Sequence, residues 1–155
     1  MKRVLIVGAF GYIGARLCKY LSNNYRVVAL GRRCPASFNN FINNIDSIIE
    51  GDITDKKLLN VLVNQDFDIV INLVSLDHHK SQLNPDLASS INVMPTWNLL
   101  ERFTKKNLKK FIYFSTTQVY GDLPSESITE NKSINPINYY GLTHSLSEII
   151  CNYFN

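Results

Sequence analysis

Gly8-Ala9-Phe10-Gly11-Tyr12-Ile13-Gly14 stands between the branched apolar run Val4-Leu5-Ile6-Val7 and a segment with Ile13, Leu17, Tyr20 and Leu21 at helical spacing. The run before it reads as a buried parallel strand, and the segment after it as an amphipathic helix with those four residues on one face. Glycines placed between a strand and a helix let the backbone turn sharply and come close to a pyrophosphate. The phosphates then sit on the unpaired N–H groups and positive dipole end of the helix start. The loop therefore predicts a dinucleotide site formed by Gly8, Phe10, Gly11, Tyr12, Ile13 and Gly14.

Working outward, further apolar runs recur at intervals that suit strand–helix units. Arg26 to Leu30, Ser47 to Glu50, Phe67 to Val74 and Lys110 to Ser115 read as strands. Helices are expected over 55–64, 85–106 and from Asn138 to the end of the chain, the last with Leu142, Leu146, Ile149 and Tyr153 on one stripe. Pro95 falls inside the longest of them, where it removes a helix hydrogen bond and frees the carbonyl of Ile91, so a kink is expected there. The asparagine-rich patch over 39–44 reads as loop. Strands alternating with helices imply a doubly wound parallel sheet, which binds ligands at the carboxyl ends of its strands. Candidate functional residues gather at those ends: Gly8–Gly14, Gly31–Arg33, Asp52-Ile53, Leu73-Val74-Ser75 and Ser115–Tyr120.

Composition narrows the classes. The chain has 155 residues, 45% of them apolar, enough for one layered core. Its net charge of +3 and pI near 8.7 are mild, and paired lysines such as Lys105-Lys106 read as a solvated helix end, so no nucleic-acid partner is expected. No apolar run approaches a membrane span, and no signal segment precedes the first strand. Cys18, Cys34 and Cys151 lack ligand spacing, so no metal site is expected, and they read as reduced thiols of a cytoplasmic protein. The loop positions Leu76 to Leu83 and Gln118 to Leu123 are expected to face a substrate, and His78 and His79 read as solvent-exposed neighbours in the first of these loops.

The second strand bears on cofactor choice. In dinucleotide folds an Asp or Glu at its end accepts hydrogen bonds from the adenosine ribose. Here it ends in Gly31-Arg32-Arg33. A carboxylate would repel a 2′-phosphate, whereas a glycine leaves room for one and a guanidinium grips it. The reading favours NADP over NAD.

Further motifs then carry a resemblance. Gly51-Asp52-Ile53-Thr54, Asn92 with Thr96 and Asn98-Leu99-Leu100, Phe114-Ser115-Thr116-Thr117-Gln118-Val119-Tyr120-Gly121 and Tyr139-Tyr140-Gly141 join the glycine loop. Together they resemble the extended short-chain dehydrogenase/reductases, specifically the NAD(P)-dependent epimerase/dehydratase family that acts on nucleotide sugars. The resemblance implies a Rossmann-like α/β fold with about five strands in the order 3-2-1-4-5. It implies that Asp52 and Ile53 lie against the adenine and that Asn92, Tyr140 and the residue at 144 belong to the cofactor site. Thr116, four positions before Tyr120, matches the catalytic hydroxyl that hydrogen-bonds the reacting sugar oxygen. Tyr140 matches the tyrosine that exchanges a proton with it while hydride moves to or from the nicotinamide.

Position 144 departs from the family pattern, which places a lysine there; this chain has His144. The lysine holds the nicotinamide ribose and lowers the tyrosine pKa. A free phenol of pKa about 10 is about 0.1% ionised at pH 7, and bringing it to neutrality takes roughly 4 kcal/mol. An imidazole is mostly neutral at pH 7 and reaches less far. Three outcomes stay open: a protonated His144 as a weaker surrogate, a site that binds cofactor but turns over slowly, or chemistry supplied by another group. The family's fold continues into a substrate lobe, so the chain reads as one dinucleotide-binding domain over 1–155, the amino-terminal part of a longer fold or one covered by a partner. The resemblance further implies a homodimer through the two long helices. An enzyme acting on a nucleotide sugar leads; a non-catalytic NADP-binding module or partner subunit is the alternative.

Overall fold

The computed structural model describes residues 1–41, 44–122 and 127–155. The run Val4 to Val7 becomes β1 (Arg3–Val7), central in the sheet and shielded from solvent on both sides. It pairs in parallel with β2 (Arg26–Gly31), Val4 beside Val27, and with β4 (Ile69–Asn72), Val4 beside Ile69. β3 (Ser47–Glu50) extends one side and β5 (Lys110–Tyr113) the other, giving five parallel strands in the order 3-2-1-4-5. This is the expected doubly wound sheet.

Strand alternation divides the core into two layers. Leu5, Val7, Val28, Leu30 and Val70 face α3 (Lys56–Val63) and α6 (Met94–Phe103), packing on Leu59, Leu62, Leu99 and Phe103. Val4, Ile6, Val27, Ala29 and Ile71 face the other way, onto Cys18 of α1 (Tyr12–Leu21) and Phe38 of α2 (Ala36–Phe41). The chain thus winds from β1 outward to β3 with α1 and α2 on one face, and returns through β4 and β5 with α3 and α6 on the other. The switch lies between β1 and β4, where a crevice opens at the strand ends.

Several details differ from the sequence reading. On α1, Ile13 and Tyr20 face solvent, and Gly14 and Cys18 are the buried residues. A Cβ on Gly14 would lie 2.3 Å from the Gly8 carbonyl oxygen, so the helix closes on its strand through its smallest residue. Residues 39–41 of the asparagine-rich patch belong to α2, and 42–43 lie outside the described residues. β4 and β5 each end before their expected limits, at Asn72 and Tyr113, and Leu73 and Val74 beyond β4 line the crevice. His78 and His79 open a short helix, α4 (His78–Leu83), capped by the Asp77 carboxylate.

The long helix is not continuous. α5 (Pro85–Ala88) passes into a π-helical turn, Ser89–Val93, and then into α6. The wide turn absorbs the bond that Pro95 cannot make and lets Pro95 enter the first turn of α6, where no N–H is required. The expected kink is realised as this turn. The last helix, α7 (Tyr139–Tyr153), begins one residue after Asn138, whose side chain accepts the Gly141 N–H at 2.8 Å. Its buried side carries Gly141, Thr143, His144, Ser145 and Ser147. Leu142, Leu146, Ile149 and Tyr153 point outward, between 40% and 73% exposed. Among the described residues no helix is long and apolar enough to cross a membrane, and Cys18, Cys34 and Cys151 are unpaired thiols.

Candidate active site

A cavity of about 640 Å³ occupies the crevice, lined from the ends of β1, β2, β3 and β4. Its floor is the glycine loop. Gly8 has a φ of +86°, open to glycine at little cost, and a Cβ there would press on Leu73 at 3.2 Å. Its N–H and that of Ala9 both donate to the Leu30 carbonyl at 2.9 Å, which fixes the turn. Gly11 caps α1 in extended conformation, with no side chain satisfying the first-turn amides and no acidic residue among them. A Cβ on Gly11 would meet protein only at 3.5 Å, an ordinary contact, so packing does not demand glycine here. The bare position faces the cavity, and bare amides at a helix start suit a diphosphate. A nicotinamide dinucleotide fits this donor set.

The far wall carries Gly31, Arg32 and Arg33 from β2 and Gly51 to Thr54 from β3. Asp52 accepts the Thr54 N–H at 2.9 Å and the Thr54 hydroxyl at 2.8 Å. Those bonds, with the nearby Arg32 guanidinium, hold its carboxyl below the usual range. Ile53 is buried against the core and presents one side to the cavity. Leu73, Val74 and Ser75 line the β4 side, as expected. Thr54 of the Gly51–Thr54 motif and Leu76, expected on the substrate side, join them, as does Ile91, which was not expected at the site. Tyr12, Ile13 and Gly14 do not line the cavity: the Tyr12 ring is exposed beneath the Arg16 guanidinium, and Gly14 is buried behind the loop.

Asn92 is also behind the surface rather than on it. Its Oδ1 accepts the Leu76 N–H at 2.6 Å, and its Nδ2 donates to Thr143 Oγ1 at 2.9 Å. Its carbonyl, within the π-helical turn, accepts the Ser147 hydroxyl at 2.9 Å. The side chain therefore braces the β4-end loop to α7 instead of reaching a ligand.

Thr116 caps a short 3-10 turn, Thr117–Tyr120, its Oγ1 accepting the Gln118 N–H at a long 3.3 Å. The hydroxyl proton is left for another acceptor. Gly141 lets α7 approach that turn, since a Cβ there would lie 2.4 Å from the Gln118 carbonyl oxygen. Asn138 Nδ2 donates to Gln118 Oε1 at 3.0 Å and secures the contact. Thr116 and Tyr140 are thus carried by elements packed on each other. Ser115 points elsewhere, its hydroxyl donating to the Glu148 carboxylate. Leu123, expected near the substrate side, lies outside the described residues.

His144 is 2% exposed. Its Nε2 lies 3.0 Å from Ser75 Oγ and its Nδ1 2.8 Å from the Tyr113 hydroxyl. Ser75 donates its own proton to the Leu76 carbonyl at 3.0 Å, so Nε2–H donates to Ser75 and Nδ1 accepts from Tyr113. Burial raises the Tyr113 pKa well above its ordinary value, which keeps it a donor. Burial pushes the imidazole down to about 4, so the ring is neutral at pH 7. The protonated surrogate left open by the sequence is the outcome this geometry opposes. The Tyr140 ring centroid stands 4.5 Å from that of His144 and 6.0 Å from that of His78, which reaches it edge-on from α4. Gln118 was among the candidates at the fifth strand's end, whereas Tyr113 and Asn138 escaped the sequence reading as site residues. The alternation that pairs Tyr113 with Ser115 on one strand face was the available sign for the former.

Against known proteins, residues 4–155 match the profile of the NAD dependent epimerase/dehydratase family. A UDP-glucose 4-epimerase of Oryza sativa is 32% identical over 163 residues, spanning 97% of this chain and 44% of that protein. A dTDP-D-glucose 4,6-dehydratase of Dictyostelium discoideum is 32% identical over 149 residues, spanning 87% and 34%. The solved UDP-glucuronic acid 4-epimerase of Bacillus cereus, in complex with UDP-glucuronic acid and NAD, superposes with a TM-score of 0.82 at 30% identity, over 98% of this chain and 52% of that one. The chain spans about half the length, or less, of the relatives it matches. With the profile covering nearly every residue of the sheet, the crevice and α7, the chain belongs to the NAD dependent epimerase/dehydratase family.

Proposed function

We propose that this chain is the nucleotide-binding portion of an enzyme that exchanges hydride with a carbinol carbon of a nucleotide sugar, using NADP in preference to NAD. When bound, the cofactor supplies the hydride acceptor and donor. The chain's own residues do the rest. The amides at the start of α1 hold the diphosphate, Asp52 and Ile53 border the adenine, and Arg32 and Arg33 take the 2′-phosphate, with no carboxylate at Gly31 to repel it. Thr116 donates its free hydroxyl proton to the reacting sugar oxygen, and Tyr140 exchanges a proton with that oxygen. His144 acts as a neutral tie that positions α7, and Asn92 as a brace beneath the site.

The observation that carries the reading is Gly11: a glycine that the protein's packing does not require, at an uncapped helix start, facing the cavity. The relatives matched are enzymes of nucleotide-sugar chemistry. Bacillus cereus epimerase was solved with NAD; the NADP preference rests on the Gly31-Arg32-Arg33 wall of this chain. The outward stripe of α7, with Trp97 of α6 stacked on Tyr153 at 5.9 Å, supports a homodimer through these two helices. The test is cofactor-dependent turnover of a panel of nucleotide sugars by the wild type and Tyr140→Phe. Turnover that falls about 10²–10⁴-fold in the variant is expected. Absence of turnover on every sugar would refute the activity and leave the cofactor site standing.

A further inference from the structure

Gly31 is the last residue of β2, the place where a ribose-binding carboxylate stands in dinucleotide folds. A Cβ added there would fall 2.5 Å from Cδ2, 3.0 Å from Cε2 and 3.3 Å from Cγ of Phe10. The obstacle is thus a single ring, and it belongs to the glycine loop. That ring is held: it meets the Phe38 ring edge-on, centroids 4.9 Å apart, and Phe38 is buried in the layer beneath α2. Phe38 N–H in turn donates to the Pro35 carbonyl at 2.9 Å at the start of α2, which fixes the backbone that carries the second ring. A side chain at position 31 leaves Phe10 two choices. It stays and overlaps the new Cβ, or it turns into the cavity it lines and fills the space of the adenosine ribose.

Resting on the cofactor reading above, we propose that Phe10 is the specificity-determining residue of this site. Its ring occupies the Cβ volume of position 31 and so excludes a ribose-binding carboxylate beside Arg32 and Arg33. Cofactor choice is encoded in the Phe10–Gly31 pair, not in the arginines alone.

The test is a double-mutant cycle of wild type, Phe10→Ala, Gly31→Asp and the double variant. Each is read by thermal melting without ligand and by calorimetric titration with NAD and with NADP. Gly31→Asp alone is expected to melt lower than wild type and to lose at least about tenfold in affinity for both nucleotides. The double variant is expected to melt no lower than Phe10→Ala and to bind NAD more tightly than NADP, inverting the wild-type order. Gly31→Asp that keeps wild-type melting and inverts the preference by itself would overturn the proposal, as would a double variant still favouring NADP. Should the aspartate variants fail to fold, Gly31→Ala probes the same contact, and its melting loss must vanish in the Phe10→Ala background; a loss that persists there overturns the proposal. A wild type that binds neither nucleotide overturns the proposed function as well, whereas binding without a switch in the double variant overturns this inference alone.

Discussion

The two ends of the crevice are built on opposite plans. At the β1–β2 end, close approach is made by bare backbone: Gly14 admits the Gly8 carbonyl, Gly31 admits the Phe10 ring, Gly8 turns at positive φ, and Gly11 leaves the α1 amides uncovered. Where the β4 end meets α7, it is made by polar groups that satisfy one another around the buried His144 and Asn92: Ser75 to His144 to Tyr113, and the Leu76 N–H to Asn92 to Thr143. The first plan leaves donors free for a ligand. The second spends its donors internally, and the residue that replaces the family's lysine is among those spent. The contrast teaches that this fold leaves one region open by omitting side chains and closes the other by pairing them.

The largest expected effect separates two roles within the glycine end. At Gly14 a Cβ would overlap the Gly8 oxygen at 2.3 Å and Ala9 Cα at 2.7 Å, all main chain that cannot yield without lifting α1. Gly14→Ala is predicted to lower unfolding free energy by about 3 kcal/mol, measured by urea denaturation. A wild-type midpoint would show that α1 does not close on β1 as described.

Next in size is the polar end. With the folded pKa of His144 at about 4, the unfolded chain, whose histidine titrates near 6.5, binds the extra proton first. Stability from this group is complete above pH 6.5 and is lost as pH falls toward 4, by about 2.7 kcal/mol at pH 4.5. The carboxylates held low, Asp52, Asp68 and Asp77, lose their contributions at lower pH and leave this window to the histidine. His144→Gln, which can donate to Ser75 and accept from Tyr113 without titrating, is predicted to flatten the stability profile between pH 6.5 and 4.5. A profile as steep as wild type would mean that the imidazole is not held neutral.

The smallest effect on stability falls outside both ends. Ile149→Glu on the outward stripe of α7 should change unfolding free energy by no more than about 0.5 kcal/mol. It should convert the dimer to monomer in sedimentation equilibrium if the stripe is the subunit contact. A wild type that sediments as monomer at every concentration would remove the homodimer from the account.

What the sequence disclosed follows the same division. The alternating strands and helices, the glycine turn and the arginines after β2 were legible because each depends on residues within a few positions of one another, whereas the strand order came with the family resemblance. Local period misled on α1, where the apolar Ile13 and Tyr20 face solvent and the glycine side packs. The π-helical turn before Pro95 was visible only as a missing bond, since its form is set by what Asn92 meets across the interior. The state of His144 was not legible at all. Its partners stand 69 and 31 residues away, and nothing local says that two hydroxyls will close around the ring.

Gly11 gives the most direct measurement of the central claim. Its Cβ would make only an ordinary contact, with the Gly8 carbonyl oxygen at 3.5 Å, so Gly11→Ala should keep the wild-type melting curve to within about 1 kcal/mol. Calorimetric titration with NADP should show uptake by the wild type and at least about tenfold weaker uptake by the variant, because the methyl group would stand where the diphosphate approaches the α1 amides. Equal uptake by both proteins, or none by a well-folded wild type, would contradict the account.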